Sequence, residues 1–226
     1  MNVITLASRK GGAGKSTLTA HLAAYAHRLG RRCLVVDADP QGSLTLWHSR
    51  RPDGQPPLTS GARGIDRPLA DAMLAGCEWA FIDTAPTMWV VAQEAIRAAT
   101  LVVIPARPGF FDIDAVRETV AIARERNKPY AVVINAAPVK RDEKEAPAVA
   151  QSRAELDRLA IPVWSGQISQ RAGYLSSLAA GASAAELAPE SAAGSEITRL
   201  WSAIERSVEA IHGVHAAAGV MHSRAA

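Results

Sequence analysis

Residues 11–17 read Gly-Gly-Ala-Gly-Lys-Ser-Thr, directly behind an apolar run at 3–7 and ahead of a helical pattern over 16–29. A strand that ends in glycines and reopens as a helix leaves the first backbone N–H groups of that helix pointing into the loop. There they can wrap an anion. Lys15 would then reach the terminal phosphates of a phosphate chain, and the Ser16 hydroxyl would take a place on Mg²⁺. A chance glycine-rich turn could carry the same letters, but the strand before and the helix after argue against it. One more lysine, Lys10, stands ahead of the glycines. The expected phosphate-binding set is therefore Gly11, Gly12, Ala13, Gly14, Lys15, Ser16 and Thr17.

The rest of the chain fits that beginning. Short runs that are apolar at successive positions recur at 33–36, 80–82, 101–104, 131–134 and 162–164. Such runs suit strands covered by helices on both faces. Between them lie helical patterns at 44–50, 68–75, 91–98, 112–126 and 147–159. In the 112–126 segment Ile113, Val116, Val120 and Ala123 share one face, while Arg117, Glu118, Arg124 and Glu125 take the other. Residues 51–67, rich in Pro, Gly and Arg, read as a loop with at most a short edge strand near 58–59. Residues 181–195 read as a loop before a last helix at 196–211, and 213–226 as a flexible tail. The expected fold is α/β, a doubly wound, mostly parallel sheet in one domain over residues 1–212.

Two acidic segments stand where such a sheet gathers ligands, at the carboxyl ends of its strands. Asp37 and Asp39 follow the second run in Asp-Ala-Asp-Pro-Gln, and Asp83 ends the third in Phe-Ile-Asp-Thr-Ala-Pro. One carboxylate can hold the metal while another positions an attacking water. All three carboxylates, Asp37, Asp39 and Asp83, are expected to converge on the phosphate loop, beside the Ser16 hydroxyl for the metal and Lys15 for the terminal phosphates. Asp at a strand end is otherwise a helix cap or turn former.

Composition excludes several classes. With 226 residues and 48% hydrophobic content the chain can bury a core, and Cys33 and Cys77 are too few for a disulfide framework. No apolar run reaches membrane-spanning length, and a cytoplasmic protein is expected. Net charge is +3, unevenly spread: residues 1–76 carry ten Lys/Arg against five Asp/Glu, the remainder 15 against 17. Part of the N-terminal excess is expected to face phosphate, and an acidic macromolecular partner is compatible with it. The six histidines lack metal-ligand spacing. Trp47, Trp79, Trp164 and Trp201 are expected to pack against helices, with Trp89 the candidate for a partner surface.

Lys10-Gly-Gly-Ala-Gly-Lys15-Ser-Thr, Asp37-Ala-Asp39-Pro-Gln and Phe-Ile-Asp83-Thr-Ala-Pro together resemble the deviant Walker A ATPases of the ParA/MinD group, a class of P-loop NTPases. Among them the small ParA partition proteins are most similar, and the resemblance runs to about residue 210. It implies ATP and Mg²⁺ as cofactors and a homodimer when ATP is bound. Lys10 matches the signature lysine that reaches the partner subunit's phosphates. Asp39 matches the aspartate that positions water, Asp83 the Walker B aspartate, and Asn135 the adenine-contacting asparagine. The resemblance therefore implies Ser16, Asp39 and Asp83 as the metal candidates and Lys10, Lys15 and Asp39 as the catalytic candidates. Ile168-Ser-Gln-Arg171-Ala-Gly-Tyr174 also follows the pattern. Ala13 replaces the usual valine, and Thr84-Ala85-Pro86 carries one proline where many members have two.

The resemblance further implies slow, partner-stimulated ATP hydrolysis, non-specific double-stranded DNA binding on the nucleoid, and a ParB-like or small centromere-binding partner. Arg171, Arg199 and Arg206 are the expected DNA contacts, followed by Lys140 and Arg141. The alternative is a MinD-like switch or a positioner of protein cargo. Membrane binding is not expected, because residues 212–226 carry one Arg and little apolar bulk. An iron–sulfur carrier would need thiolates at the dimer axis, and Cys33 lies inside a strand run.

Overall fold

Uninterrupted apolar runs become strands buried on both faces. The computed structural model describes the backbone of residues 1–86 and 89–223, and the side chains of these except Trp89, Phe111 and 215–223. The described chain runs β1 (Asn2–Leu6), α1 (Lys15–Arg28), β2 (Cys33–Ala38), α2 (Ser43–His48), β3 (Leu58–Ser60), α3 (Asp66–Leu74) and β4 (Trp79–Thr84). It continues through α4 (Trp89–Ala98), β5 (Leu101–Ala106), α5 (Phe110–Glu125), β6 (Tyr130–Ile134), α6 (Pro147–Arg158), α7 (Ala172–Ala179), α8 (Ala184–Leu187) and α9 (Ala192–Ser223). The six strands pair in parallel in the order β3-β2-β4-β1-β5-β6. Every residue of β2, β4 and β5 is buried.

The pleat sends successive side chains to opposite layers. Leu6, Val35, Phe81 and Val103 join the core beneath α1 and α9. Val36 and Ile82 turn to the layer of α3 and α4, and Val102 and Ile104 to that of α5 and α6. Trp201 of α9 is fully buried with its ring centroid 4.7 Å from that of Trp79. Truncating such a side chain costs about 3–5 kcal/mol. Strand β3 pairs only with β2 and spans three residues, so the open edge it leaves is short.

The structure corrects the sequence reading in three places. Residues 162–164 form no strand; Val163 makes a single bridge to Val132. Residues 172–179, given no element above, form α7. The segment at 181–195 is not a loop throughout: it holds α8, and α9 starts at Ala192 and runs to Ser223 rather than stopping at 211. Alanine is the strongest helix former, and the small residues of 192–195 and 216–218 continue the helix instead of interrupting it. The expected tail boundary at 213 therefore falls inside α9, with residues 224–226 outside those described. The side chain of Trp89 is outside them as well.

Helix α1 is fastened to the C-terminal helices through His21, which is fully buried. The Ala184 N–H donates to His21 Nδ1 at 3.1 Å, and the ring packs edge-on against Tyr174 at 5.1 Å. Burial lowers the imidazole's pKa from 6.5 to about 4, so the ring is neutral in the folded chain. Unfolded His21 takes a proton below pH 6.5, and the folded ring does not until about pH 4. Stability is complete above pH 6.5 and falls through that window, by roughly 3 kcal/mol at most. Urea denaturation of the wild type between pH 7 and 4 is expected to show this loss, and His21→Gln a flatter dependence.

Candidate functional site

The glycine loop folds around the head of α1. Gly14 takes a left-handed conformation, φ 98°, and caps the helix without a side chain of its own. A Cβ there would lie 2.0 Å from Asn135 Nδ2, so only glycine lets the loop pass the end of β6. Asn135 Nδ2 donates to the Ala13 carbonyl at 2.6 Å, and both residues are buried. The first N–H groups of α1 and its dipole face the loop, as an anion site requires.

Lys15 is 6% exposed and its Nζ donates to the Lys10 carbonyl at 3.3 Å. Burial lowers its pKa, against the pull of Asp83 and Asp39. The Lys10 backbone N–H is held by Ser8 Oγ at 3.2 Å. Gly11, Gly12, Gly14, Lys15, Ser16 and Thr17 all line one cavity of about 960 Å³, which also takes in Asp39, Asn135 and Arg171. Its far side is apolar, formed by Leu46 and Trp47 of α2 and Leu175 and Leu178 of α7.

The three aspartates separate into distinct roles. Asp37 and Asp83 face each other across the β2–β4 pairing. Asp37 accepts from the Thr45 N–H at 2.9 Å and the Thr45 hydroxyl at 2.8 Å, which ties it to α2. Its carboxylate is therefore committed to the fold rather than open to the cavity. Asp39 is half-buried on the cavity wall, one oxygen accepting the Gln41 N–H at 3.0 Å. Asp83 is fully buried, and neither carboxylate oxygen has a hydrogen-bond partner among the described residues.

Burial raises Asp83 to about 7, with Asp37 and Asp39 pushing the same way and the nearby Ser16 hydroxyl and Lys15 ammonium holding it down. An orphaned carboxylate in a dry sheet is costly unless a cation or donor reaches it. A hydroxyl at the head of α1 and a carboxylate on the adjoining strand are hard oxygen ligands of the kind Mg²⁺ takes, phosphate and water filling the remaining positions. The donor set fits that ion.

The arginines also separate. Arg171 donates to Glu196 Oε1 through Nε at 3.1 Å and Nη2 at 2.9 Å. Glu196, 3% exposed, also accepts from the Tyr174 hydroxyl at 2.7 Å and the Ser169 N–H at 2.9 Å. Burial opposes its charge, yet these donors hold its pKa below the usual range. Arg171, placed first among the expected DNA contacts, is thus locked to a buried carboxylate beside the cavity. Arg199 and Arg206 stand exposed on α9, two turns apart on one face. Sequence reading missed Glu196, whose pairing over 25 residues leaves no local signal.

A strand, glycine loop and helix with a buried lysine and a carboxylate on the neighbouring strand define a P-loop nucleotide-binding protein. The chain belongs to the CobQ/CobB/MinD/ParA nucleotide binding domain family, which matches residues 4–183. It is 31% identical over 152 residues to the chromosome-partitioning ATPase Soj of Thermus thermophilus, covering 54% of this chain and 61% of Soj. It is 25% identical over 190 residues to the maintenance of carboxysome distribution protein A of Halothiobacillus neapolitanus, covering 81% and 87%. The septum site-determining protein MinD of Pyrococcus horikoshii, solved with Mg-ADP, superposes with a TM-score of 0.68 at 14% identity, over 93% of this chain and 98% of that one. The last likeness is one of fold.

Lys15→Ala removes the buried cation of the loop. Isothermal titration is expected to show nucleotide affinity lost at least about a hundredfold, the scale of a charge-assisted contact left unmade. An unchanged affinity would displace the loop from its role.

Proposed function

We propose that the protein is a partition or positioning ATPase: it binds ATP with Mg²⁺, dimerises in that state, rests on double-stranded DNA without sequence preference, and lets go when a ParB-like partner stimulates hydrolysis. The observation that carries this reading is the phosphate loop with Lys10 ahead of it and Asp39 in the same cavity. The match to Soj, an ATPase of chromosome partitioning, supports it.

The proposed roles rest on the motif positions and on the cavity the residues share. The loop N–H groups and Lys15 bind the phosphate chain. Ser16 and Asp83 would hold Mg²⁺, which neutralises charge on the phosphates. Asp39, with one oxygen already fixed by Gln41, orients the attacking water through the other. Asn135, which lines the same cavity beside Ala136 and Pro138, is the residue we assign to the base. Lys10 completes the partner subunit's site, since two triphosphates brought face to face need added positive charge. Asp39→Ala is expected to keep ATP affinity and ATP-dependent dimerisation while turnover drops at least about a hundredfold, measured by phosphate release and light scattering. Wild-type turnover would remove Asp39 from the mechanism.

Arg199 and Arg206 stand exposed on α9, whereas Lys140 lies 3.7 Å from Glu145. Pairing two copies would present both helices' arginines together, so DNA affinity follows the nucleotide through avidity. Such phosphate contacts are blind to sequence and weaken steeply with salt. Gel shifts on unrelated duplexes at low salt are expected to show binding with ATP and Mg²⁺ and release with ADP. Changing Arg199 and Arg206 together to Ala is expected to flatten the salt dependence. Equal binding in all nucleotide states would end the DNA-surface reading.

A second reading changes only the cargo. The carboxysome-distribution relative aligns over more of both chains than Soj does, which favours a protein assembly as cargo. Stimulation of the ATPase by a DNA-binding partner or by a cargo protein separates the two. No helix among the described residues is long and apolar enough to cross a membrane.

A further inference from the structure

Arg107 has no role in the reading above, although it stands beside the glycine loop. It lies in the connection between β5 and α5, at the carboxyl end of the strand next to β1 in the sheet. It lines the same cavity as Lys15 and Asp39. Its guanidinium sits over Gly12: a Cβ built on that glycine would meet Arg107 Nη2 at 3.8 Å and no other atom within 4 Å. Gly12 itself is exposed, with φ 75°, and is one of the residues whose N–H groups form the cradle.

The other arginines lining this cavity are spoken for. Arg171 is bound to Glu196, and Arg50 donates to the Ala179 carbonyl at 3.0 Å. Arg107 has neither a hydrogen bond nor an ion pair among the described residues, and it is exposed to the cavity's solvent. A planar guanidinium that the fold leaves without an anion, at the rim of a loop built for one, has the geometry of a phosphate clamp. None of the described residues around it gives it a structural task.

We propose that Arg107 is a phosphate-binding arginine of its own subunit's nucleotide site, reaching the β/γ end of the triphosphate from the side of the loop opposite α1. This rests on the nucleotide-site reading, and it adds a cation supplied in cis to the Lys10 charge supplied by the facing subunit. The arginine binds the charge of the phosphate chain, so it discriminates triphosphate from monophosphate rather than one base from another.

The test measures binding of fluorescent ATP, ADP and AMP analogues to the wild type, R107A, R107K and Lys15→Ala, at protein concentrations below the onset of dimerisation. For R107A, ATP affinity is expected to fall about ten- to hundredfold, with AMP affinity unchanged, a shallower salt dependence, and partial rescue in R107K. Far-UV circular dichroism and thermal midpoint are expected to match the wild type, since the side chain is exposed. Wild-type ATP affinity in R107A overturns the proposal. So does intact monomeric binding with loss of ATP-dependent dimerisation, which would assign the arginine to the partner's phosphates. Failure of the wild type to bind any nucleotide would instead strike the nucleotide-site reading itself.

Discussion

The β2–β4 register sets Asp37 and Asp83 side by side, both buried, at the carboxyl ends of two neighbouring strands. Two carboxylates cannot share such a place without distinct partners, because each unsolvated charge must be met. Asp37 is met by Thr45, a contact that also fixes where α2 begins. Asp83 is left with only the ammonium of Lys15 and the hydroxyl of Ser16 nearby, and its acidity is displaced accordingly. One strand pairing thus produces both a structural anchor and a carboxylate poised for a cation. The two groups that hold its pKa down, Ser16 and Lys15, line the cavity.

Much of this was legible from sequence because it is local. The glycines, Lys15 and Ser16 sit within a few residues of each other, and their geometry follows from a strand turning into a helix. The apolar runs of β1, β2, β4, β5 and β6 needed no partner to be recognised, since burial on both faces leaves a continuous pattern. Helix α7 was different. Its sequence, Ala-Gly-Tyr-Leu-Ser-Ser-Leu-Ala, has a glycine and two serines in eight residues. What supports it is tertiary: Tyr174 reaches Glu196 on α9 and packs its ring on His21 of α1.

The roles of individual charged residues divide in the same way. Asp37 and Asp39 look alike as residues at a strand end; the resemblance singles out Asp39, and the contact of Asp37 to Thr45 against the cavity place of Asp39 gives the physical difference. Arg171 reads as a surface cation until Glu196 is found beneath it. Arg107 shows the reverse case, a residue in an unremarked loop that the sheet order carries to the phosphate cradle. The switch-point rule directs attention to acids at strand ends. The same rule, applied to basic residues after β5, would have reached Arg107.

The bond from Asn135 to the Ala13 carbonyl joins residues 122 positions apart. The glycine loop follows β1, but the amide that braces it comes only after β6. A nascent chain halted before residue 135 carries the whole loop sequence without its support. A lesion at the end of β6 would therefore leave the loop sequence untouched and yet take away the contact that braces it.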